Sequence, residues 1–433
     1  KPLQTGHRLP ARCSLRRFHV QRFTADEYTD WGRFRPALLQ LERLSIQYPA
    51  TRGLPAATIE SLLNAEYTML DKQDLFEART HGYHTCRIPG IAVTRTGTVL
   101  VTGEARPGRG GDYDYNDVLM RRSTDGGKTF APFVKLVDHT DYGDGPVSNF
   151  VMIPDRETGR VHAVFCHDYA RMFYTFSDDD GVTFGAPVEI TATVEPFRDE
   201  YAWRVCATGP GHGLQLRNGR LIVPVWLSDS SANDFGPKHR GHRPSDVVSI
   251  YSDDHGATWQ RGEFVARTGD EVDGVAVRYP SETVAVELAD GSVLFNLRSE
   301  SMNNRRLIAT SPDGATNWRI RGFDPVVNEP VCMGSILRHS WPSDTEPGRI
   351  LFANPDTLDK DMRRVIDPEL KKQPHCDRKN LTVRLSEDDC ATWSHSRVLE
   401  PGPAGYSDLA VLEDGTILCL YECDIVTRIH DDR

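Results

Sequence analysis

The sequence predicts an all-β fold, a β-propeller of four-stranded sheets with a short helical N-terminal extension. Three observations predict it. An octet built on Ser, Asp, Gly, Thr and an aromatic residue recurs along the chain. Apolar-alternating segments meet in pairs at X-Gly turns, and the first stretch of chain, to about residue 75, shows neither feature.

The octet Ser-x-Asp-x-Gly-x-Thr-Trp/Phe stands at Ser123–Phe130, Ser177–Phe184 and Ser252–Trp259, with worn copies at Ser311–Trp318 and Ser386–Trp393. Successive starts lie 54, 75, 59 and 75 residues apart, and each interval suits one four-stranded sheet with its loops. A strand ends at Ser, Asp folds its carboxylate onto nearby N–H groups, Gly takes the φ > 0 position and the aromatic ring plugs the core. Metal or substrate binding by these aspartates is the rival reading, but an Asx-turn aspartate followed by Gly is mostly a turn former. The octet therefore speaks for fold and says little about chemistry. Ala315, Asn317 and Cys390 replace Gly or Thr in the worn copies, which predicts looser turns there.

The paired segments are IAVTRTGTVLVT around Gly97, LQLRNGRLIVPVW around Gly219, VAVELADGSVLFNLR around Gly291 and LAVLEDGTILCLYE around Gly415. Alternation on both sides of an X-Gly turn reads as a β-hairpin. In the third hairpin Glu282 lies eight residues before Asp290 and Arg298 eight after it; in the fourth, Tyr406 and Glu422 flank Asp414 by the same eight. Antiparallel pairing sets such symmetric positions side by side at the open end of the hairpin, so Glu, Arg, Tyr and Glu are expected on one face.

Residues 1–75 differ. Leu38, Leu41, Leu44 and Tyr48, then Ile59, Leu62, Leu63 and Leu70 behind Pro55, follow helical spacing. The domain reading is thus a helical extension over 1–75 and a propeller over 76–433. At 433 residues the chain is about three average domains long, but propellers hold that length in one. With 39% hydrophobic and 26% charged residues it is ordinary for a folded protein, and a net charge of −11 argues against nucleic acid or anionic membrane as partner. No stretch approaches the roughly 18 apolar residues of a membrane-spanning helix. The nine cysteines show no zinc spacing and read as mostly buried thiols. A start at Lys1 is what removal of an export signal leaves, and also what trimming leaves; a secreted or periplasmic setting is the expectation.

The segment CRIPGIAVTRTGTVLVTGEARPGRGGDYDYNDVLMRRSTDGGKTF resembles the sialidase family, and the octet resembles that superfamily's Asp box. Arg87 sits in an Arg-Ile-Pro motif, and Arg106 precedes Asp112 by six. SETVAVELADGSVLFNLRS supplies Glu282 and Arg298, DRKNLTVRLS supplies Arg378, and GYSDLAVLEDGTILCLYE supplies Tyr406 and Glu422. The match spans about residues 76–424. It implies a six-bladed propeller, although Asp boxes also occur in propellers that are not sialidases.

The resemblance implies a role for each residue. Arg87, Arg298 and Arg378 would grip the carboxylate of a sialic acid, since guanidinium forks match its oxygens and stay charged at any working pH. Glu422 would orient Arg87, and Arg106 would line the substrate pocket. Tyr406 would attack as nucleophile with Glu282 taking its proton: a neutral phenol avoids the repulsion an anionic nucleophile meets beside a carboxylate. Asp112 would protonate the leaving oxygen and then activate water, and two such displacements retain configuration.

Asp114 and Asp117 are rivals to Asp112, with Asp117 read as a residue that ties down the loop. Arg121 and Arg122 read as surface or inter-blade ion pairs. The histidines, including His239, His242 and His212, lack metal spacing and read as solvated or loop residues. The chain stops at Arg433, about one strand before the sialidase pattern ends, so either the helical N-terminal segment closes the ring or closure is incomplete. The expected activity is hydrolysis of terminal α-linked sialic acid from a sialylated glycan, without metal or organic cofactor. A glycoside of Kdn or Kdo is the rival substrate, transfer to another sugar a variant, and a non-cleaving sialic-acid lectin the alternative from another class.

Overall fold

The computed structural model describes residues 17–23, 71–108, 110–232, 234–361 and 374–423. Among them strands dominate, the helices are short 3₁₀ turns, and no helix is long and apolar enough to cross a membrane. The hairpin reading holds at each turn: Gly97 sits at φ 87 and donates to Thr94 O at 2.9 Å, closing Thr85–Val93 onto Val99–Arg106. An L side chain rarely adopts that φ.

The first four-stranded sheet adds Asp117–Ser123 and Val134–Val137 to that pair. A second runs Val147–Pro154, Val161–His167, Arg171–Ser177 and Val188–Glu189. The third holds Val205–Thr208, Leu221–Ser228, Ser245–Ser252 and Gln260–Ala266, with Leu214–Gln215 at its side. Thr283–Glu287, Val293–Leu297, Arg305–Ser311 and Arg319–Asn328 make the fourth. The last sheet has seven strands, in the order Asp71–Glu77, Arg17–Phe23, Ile417–Cys423, His395–Val411, Lys379–Ser386, Arg349–Pro355, Ser335–Ser340. Its long strand His395–Val411 changes partner along its length: its first half pairs with Lys379–Leu385, and Ala404–Val411 pair with Ile417–Cys423.

The sheets are arranged as a propeller, and the core lies between neighbours. Ring closure is visible where Ala410, Leu418 and Leu420 of the last sheet pack with Ile91, Val99, Val101 and Leu119 of the first. Arg17–Phe23 enters as a strand between Ile417–Cys423 and Asp71–Glu77, so this N-terminal segment adds a strand to the last sheet. The boundary drawn at residue 75 falls inside Asp71–Glu77. The helical pattern from Leu38 to Leu70 lies outside the described residues.

All five octets form the expected clip. In the third, Gly256 N donates to Ser252 Oγ at 2.8 Å, and Thr258 N and Oγ1 donate to Asp254 at 2.8 and 2.7 Å. The looser turn appears in the fourth copy, where Thr316 Oγ1 stands 3.2 Å from Asp313 Oδ2. The fifth corrects the expectation: Cys390 N donates to Ser386 Oγ at 2.8 Å and Thr392 reaches Asp388 at 2.8 and 2.6 Å. Cys390 does this by adopting φ 68, the conformation glycine takes elsewhere. Cys86, Cys166, Cys206, Cys332 and Cys419 are buried thiols, as expected.

The clips make stability acid-sensitive. Hydrogen bonds from Thr183 hold Asp179 at about 2, and Asp254 and Asp388 lie below the usual carboxylate range through Thr258 and Thr392, against a burial that opposes the shift. A depressed folded value stabilises above the unfolded value near 3.9 and is lost as pH falls through the folded one. Thermal unfolding followed by circular dichroism is therefore expected to show a plateau above about pH 5 and a steep fall between about pH 4 and 2. Asp254→Ala should cost about 1 kcal/mol at neutral pH and flatten part of that fall.

Candidate active site

Hairpin register brings the predicted residues together. Thr283 pairs with Leu297, and Ser281 N to Arg298 O and Arg298 N to Glu282 O, both 3.0 Å, extend the ladder one step to set Glu282 beside Arg298. In the last sheet Ser407 pairs with Tyr421, and Tyr406 N donates to Glu422 Oε2 at 3.2 Å. The offsets around Asp290 and Asp414 thus translate into adjacency. Arg87 comes from the first sheet, where a register shift between Arg87 and Gly90 lets Ile88 N turn to Glu422 Oε1 at 3.0 Å.

The Tyr406 hydroxyl donates to Glu282 Oε1 and accepts from Arg298 Nη1 at 2.8 Å; the same Nη1 donates to Glu282 Oε2. Arg87 and Arg378 lie over the Tyr406 ring, 5.0 and 5.1 Å from its centroid. Three guanidiniums therefore surround one phenol. Arg87 Nε donates to Glu422 Oε1 at 3.3 Å, and Arg378 Nη2 donates to Val331 O at 2.7 Å. Burial and then the Glu282 charge push the Tyr406 hydroxyl above its ordinary value, while Arg298, Arg378 and Arg87 pull it back. A phenol held this way is neutral at rest and has a base at its proton.

Asp112 stands on the loop after Val99–Arg106, its Oδ1 accepting from Arg106 Nη1 at 2.8 Å. Burial alone would raise its carboxyl, yet Arg106, then His242 and Arg87, hold it well below the usual range. Its rivals are committed elsewhere. Asp114 Oδ2 accepts from Gly110 N and Gly111 N at 2.7 and 2.9 Å. Asp117, as expected, ties the loop through Tyr83 at 2.6 Å and His139 at 2.7 Å. Asp117, Asp138 and His139 have metal-ligand spacing, but Lys135 Nζ already sits 2.9 Å from both aspartates. Arg122 makes the inter-blade link expected of it, donating to Asp180 O at 2.9 Å.

Arg106 is buried and enclosed by Glu104 Oε2 at 2.6 Å, Asp112 and Gly110 O. The histidines are not all solvated. His212 Nδ1 lies 2.7 Å from the buried Asp408, and His242 packs against Phe235, Tyr169 and Trp226 with ring centroids 4.4, 4.6 and 5.1 Å away. Burial first of all lowers His242 to about 4. Sequence reasoning missed Glu104, Glu329, Asp408 and this aromatic wall. Only Glu104 carried a signal: it stands two residues before Arg106 on one strand, hence on the same face. A groove of about 560 Å³ lined by Val265, Trp318 and Ile320 holds none of the predicted residues.

The BNR repeat-like domain model matches residues 97–419. The chain belongs to the BNR-repeat sialidase family. A sialidase of Micromonospora viridifaciens is 30% identical over 376 residues, covering 81% of this chain and 52% of that protein. One from Bacteroides fragilis is 26% identical over 368 residues, covering 78% and 60%. The chain thus spans only about half to three-fifths of these relatives. Among solved structures, the Hadza microbial sialidase Hz136 superposes with a TM-score of 0.63 at 22% identity, covering 83% of this chain and 70% of that one, which speaks for the fold.

Glu422 is fully enclosed and meets Arg87, Ile88 N and Tyr406 N at once. Removing its charge strands a buried guanidinium. In this family member, Glu422→Gln is expected to lower stability by about 3 kcal/mol in urea unfolding, with part recovered when a saturating carboxylate ligand is added.

Proposed function

We propose that the protein is an exo-α-sialidase that hydrolyses terminal sialic acids from glycans with retention, through a tyrosyl-enzyme intermediate. The observation that carries the reading is the Tyr406 hydroxyl held between Glu282 and Arg298, with Arg87 and Arg378 above its ring. Three guanidiniums gathered around one phenol suit an anionic ligand, and a sialic acid bears a carboxylate on its anomeric carbon. The relatives' names point to the same substrate class.

In the first displacement Tyr406 oxygen bonds to the anomeric carbon as Glu282 takes the phenolic proton, and Asp112 delivers a proton to the departing oxygen. In the second, Asp112 removes a proton from water, the water oxygen bonds to the same carbon from the vacated face, and the tyrosyl bond breaks with the proton returned from Glu282. Neutral phenol and base also explain why Tyr406 need not be ionised beforehand.

Asp112, held well below the usual range, is a carboxylate, which is the wrong state for an acid. Arg87 is among the charges holding it down. A bound carboxylate neutralises Arg87 and shuts out water, so substrate itself raises Asp112 towards protonation. We also read the seven-stranded sheet as two blades sharing His395–Val411, giving six blades, with the propeller beginning near residue 71 and Arg17–Phe23 added to its last blade.

With a fluorogenic aryl α-sialoside, Tyr406→Phe is expected to lose about 10²-fold or more in kcat while calorimetry still detects sialic acid binding. Proton NMR of the first product should show the α anomer. Full activity in the variant, or β product at the earliest time points, would overturn the tyrosyl mechanism.

A further inference from the structure

Arg106 is shared between two carboxylates. Its Nη2 donates to Glu104 Oε2 at 2.6 Å, its Nη1 to Asp112 Oδ1 at 2.8 Å and to Gly110 O at 2.9 Å. The other Glu104 oxygen accepts from Asn149 N at 2.7 Å. Arg106 and Glu104 are 0% and 1% exposed, whereas the Asp112 side chain is 23% exposed. Glu104 is therefore the fixed partner and Asp112 the one that faces the pocket. Asn149 adopts φ 55, a left-handed conformation that Asn tolerates, so its N–H is part of the second sheet's contribution to this clamp.

The charges have an order. With Asp112 as its only partner, a buried Arg106 would keep that carboxylate ionised, and an acid locked as its anion cannot give a proton to a leaving group. A second carboxylate on the same guanidinium adds a repulsion that opposes the pull Asp112 feels. The pair is also desolvated, so the compensation acts at low effective dielectric. We propose that Glu104 is a positioning residue for the acid step: it takes up one face of Arg106 and so leaves Asp112 free to carry a proton when substrate is bound. This rests on the reading of Asp112 as the acid. The groups that face Asp112 are Arg106 and Glu104 from Val99–Arg106, Arg87 from Thr85–Val93, His242 from the loop before Ser245–Ser252, Tyr169 after Val161–His167, and its neighbour Tyr113.

Leaving groups separate this role from a structural one. A sugar alcohol needs the proton; a phenol of low pKa departs nearly unaided. Glu104→Gln is expected to move the alkaline limb of kcat, which reports the substrate-bound acid, to lower pH by about one unit, and to cut activity on a sialyl-lactose at neutral pH about tenfold. On the fluorogenic aryl sialoside the change should stay within about twofold. Glu104→Asp, which keeps the charge, should restore the limb. If Glu104→Gln does not fold, the double variant Glu104→Gln/Arg106→Gln keeps a neutral hydrogen-bonded pair and should place the limb above the parent's. Equal losses on both substrates, or a limb that moves in neither variant, overturn the proposal. Asp112→Ala is the control: if it shows no leaving-group dependence, the acid assignment itself fails, a distinct outcome from failure of the Glu104 role.

Discussion

Three guanidiniums crowded around one phenol must be held together against their own repulsion, and that electrostatic constraint organises the centre of this fold. Arg87, Arg298 and Arg378 crowd one phenol, and like charges in a poorly hydrated cleft repel strongly. The chain answers with carboxylates placed behind the cations, out of the ligand's way: Glu422 on Arg87, Glu282 on Arg298, and Glu104 on Arg106. Arg378 differs, its support being the carbonyl of Val331. That carbonyl is aimed by a left-handed Val331 at φ 65, a costly conformation for a β-branched residue, and the segment is pinned by the buried Arg306–Glu329 pair through Cys332 O. Local backbone strain and a buried ion pair thus stand where a fourth carboxylate would otherwise be needed.

This arrangement also decides what Tyr406 can be. Were the cations uncompensated, their summed field would favour the phenolate, an anion that the arriving carboxylate would then oppose. Burial first, and then the Glu282 charge, keep the hydroxyl on the neutral side, and Glu282 accepts its hydrogen bond. The same carboxylate is also the counter-charge of Arg298.

How far the sequence disclosed this depends on the range of each interaction. Glu282 with Arg298, and Tyr406 with Glu422, were legible because two residues equidistant from an X-Gly turn must end up opposite each other; the register is local. The octet was legible for the same reason, even where Cys390 adopts the glycine conformation. Ring closure was not. Nothing in the string shows that Arg17–Phe23 pairs with Ile417–Cys423, nearly the whole chain away, since strand pairing carries no sequence tag across such a distance. The partner of His212 was not legible because Asp408 lies in another sheet.

Residues from three sheets must nevertheless meet closely, and a ring of sheets packed on apolar faces does not by itself fix their inner ends. The axis supplies the missing constraint at Asp408, two residues beyond Tyr406. Its Oδ2 accepts from Ile91 N at 2.9 Å, four residues beyond Arg87, and its Oδ1 accepts from Ser335 Oγ at 2.9 Å and lies 2.7 Å from His212 Nδ1. Gly211 packs so closely that a Cβ would come within 3.3 Å of that oxygen and 2.7 Å of Met333 Cε. Burial lowers His212, but the Asp408 charge outweighs it and lifts the ring above its ordinary value. A buried carboxylate held by these three partners cannot shift without leaving a donor unpaired, and each unpaired donor costs about 1–3 kcal/mol. The inner strands that carry Arg87 and Tyr406 are in this way fixed to one atom group, independently of whether a ligand occupies the site above it.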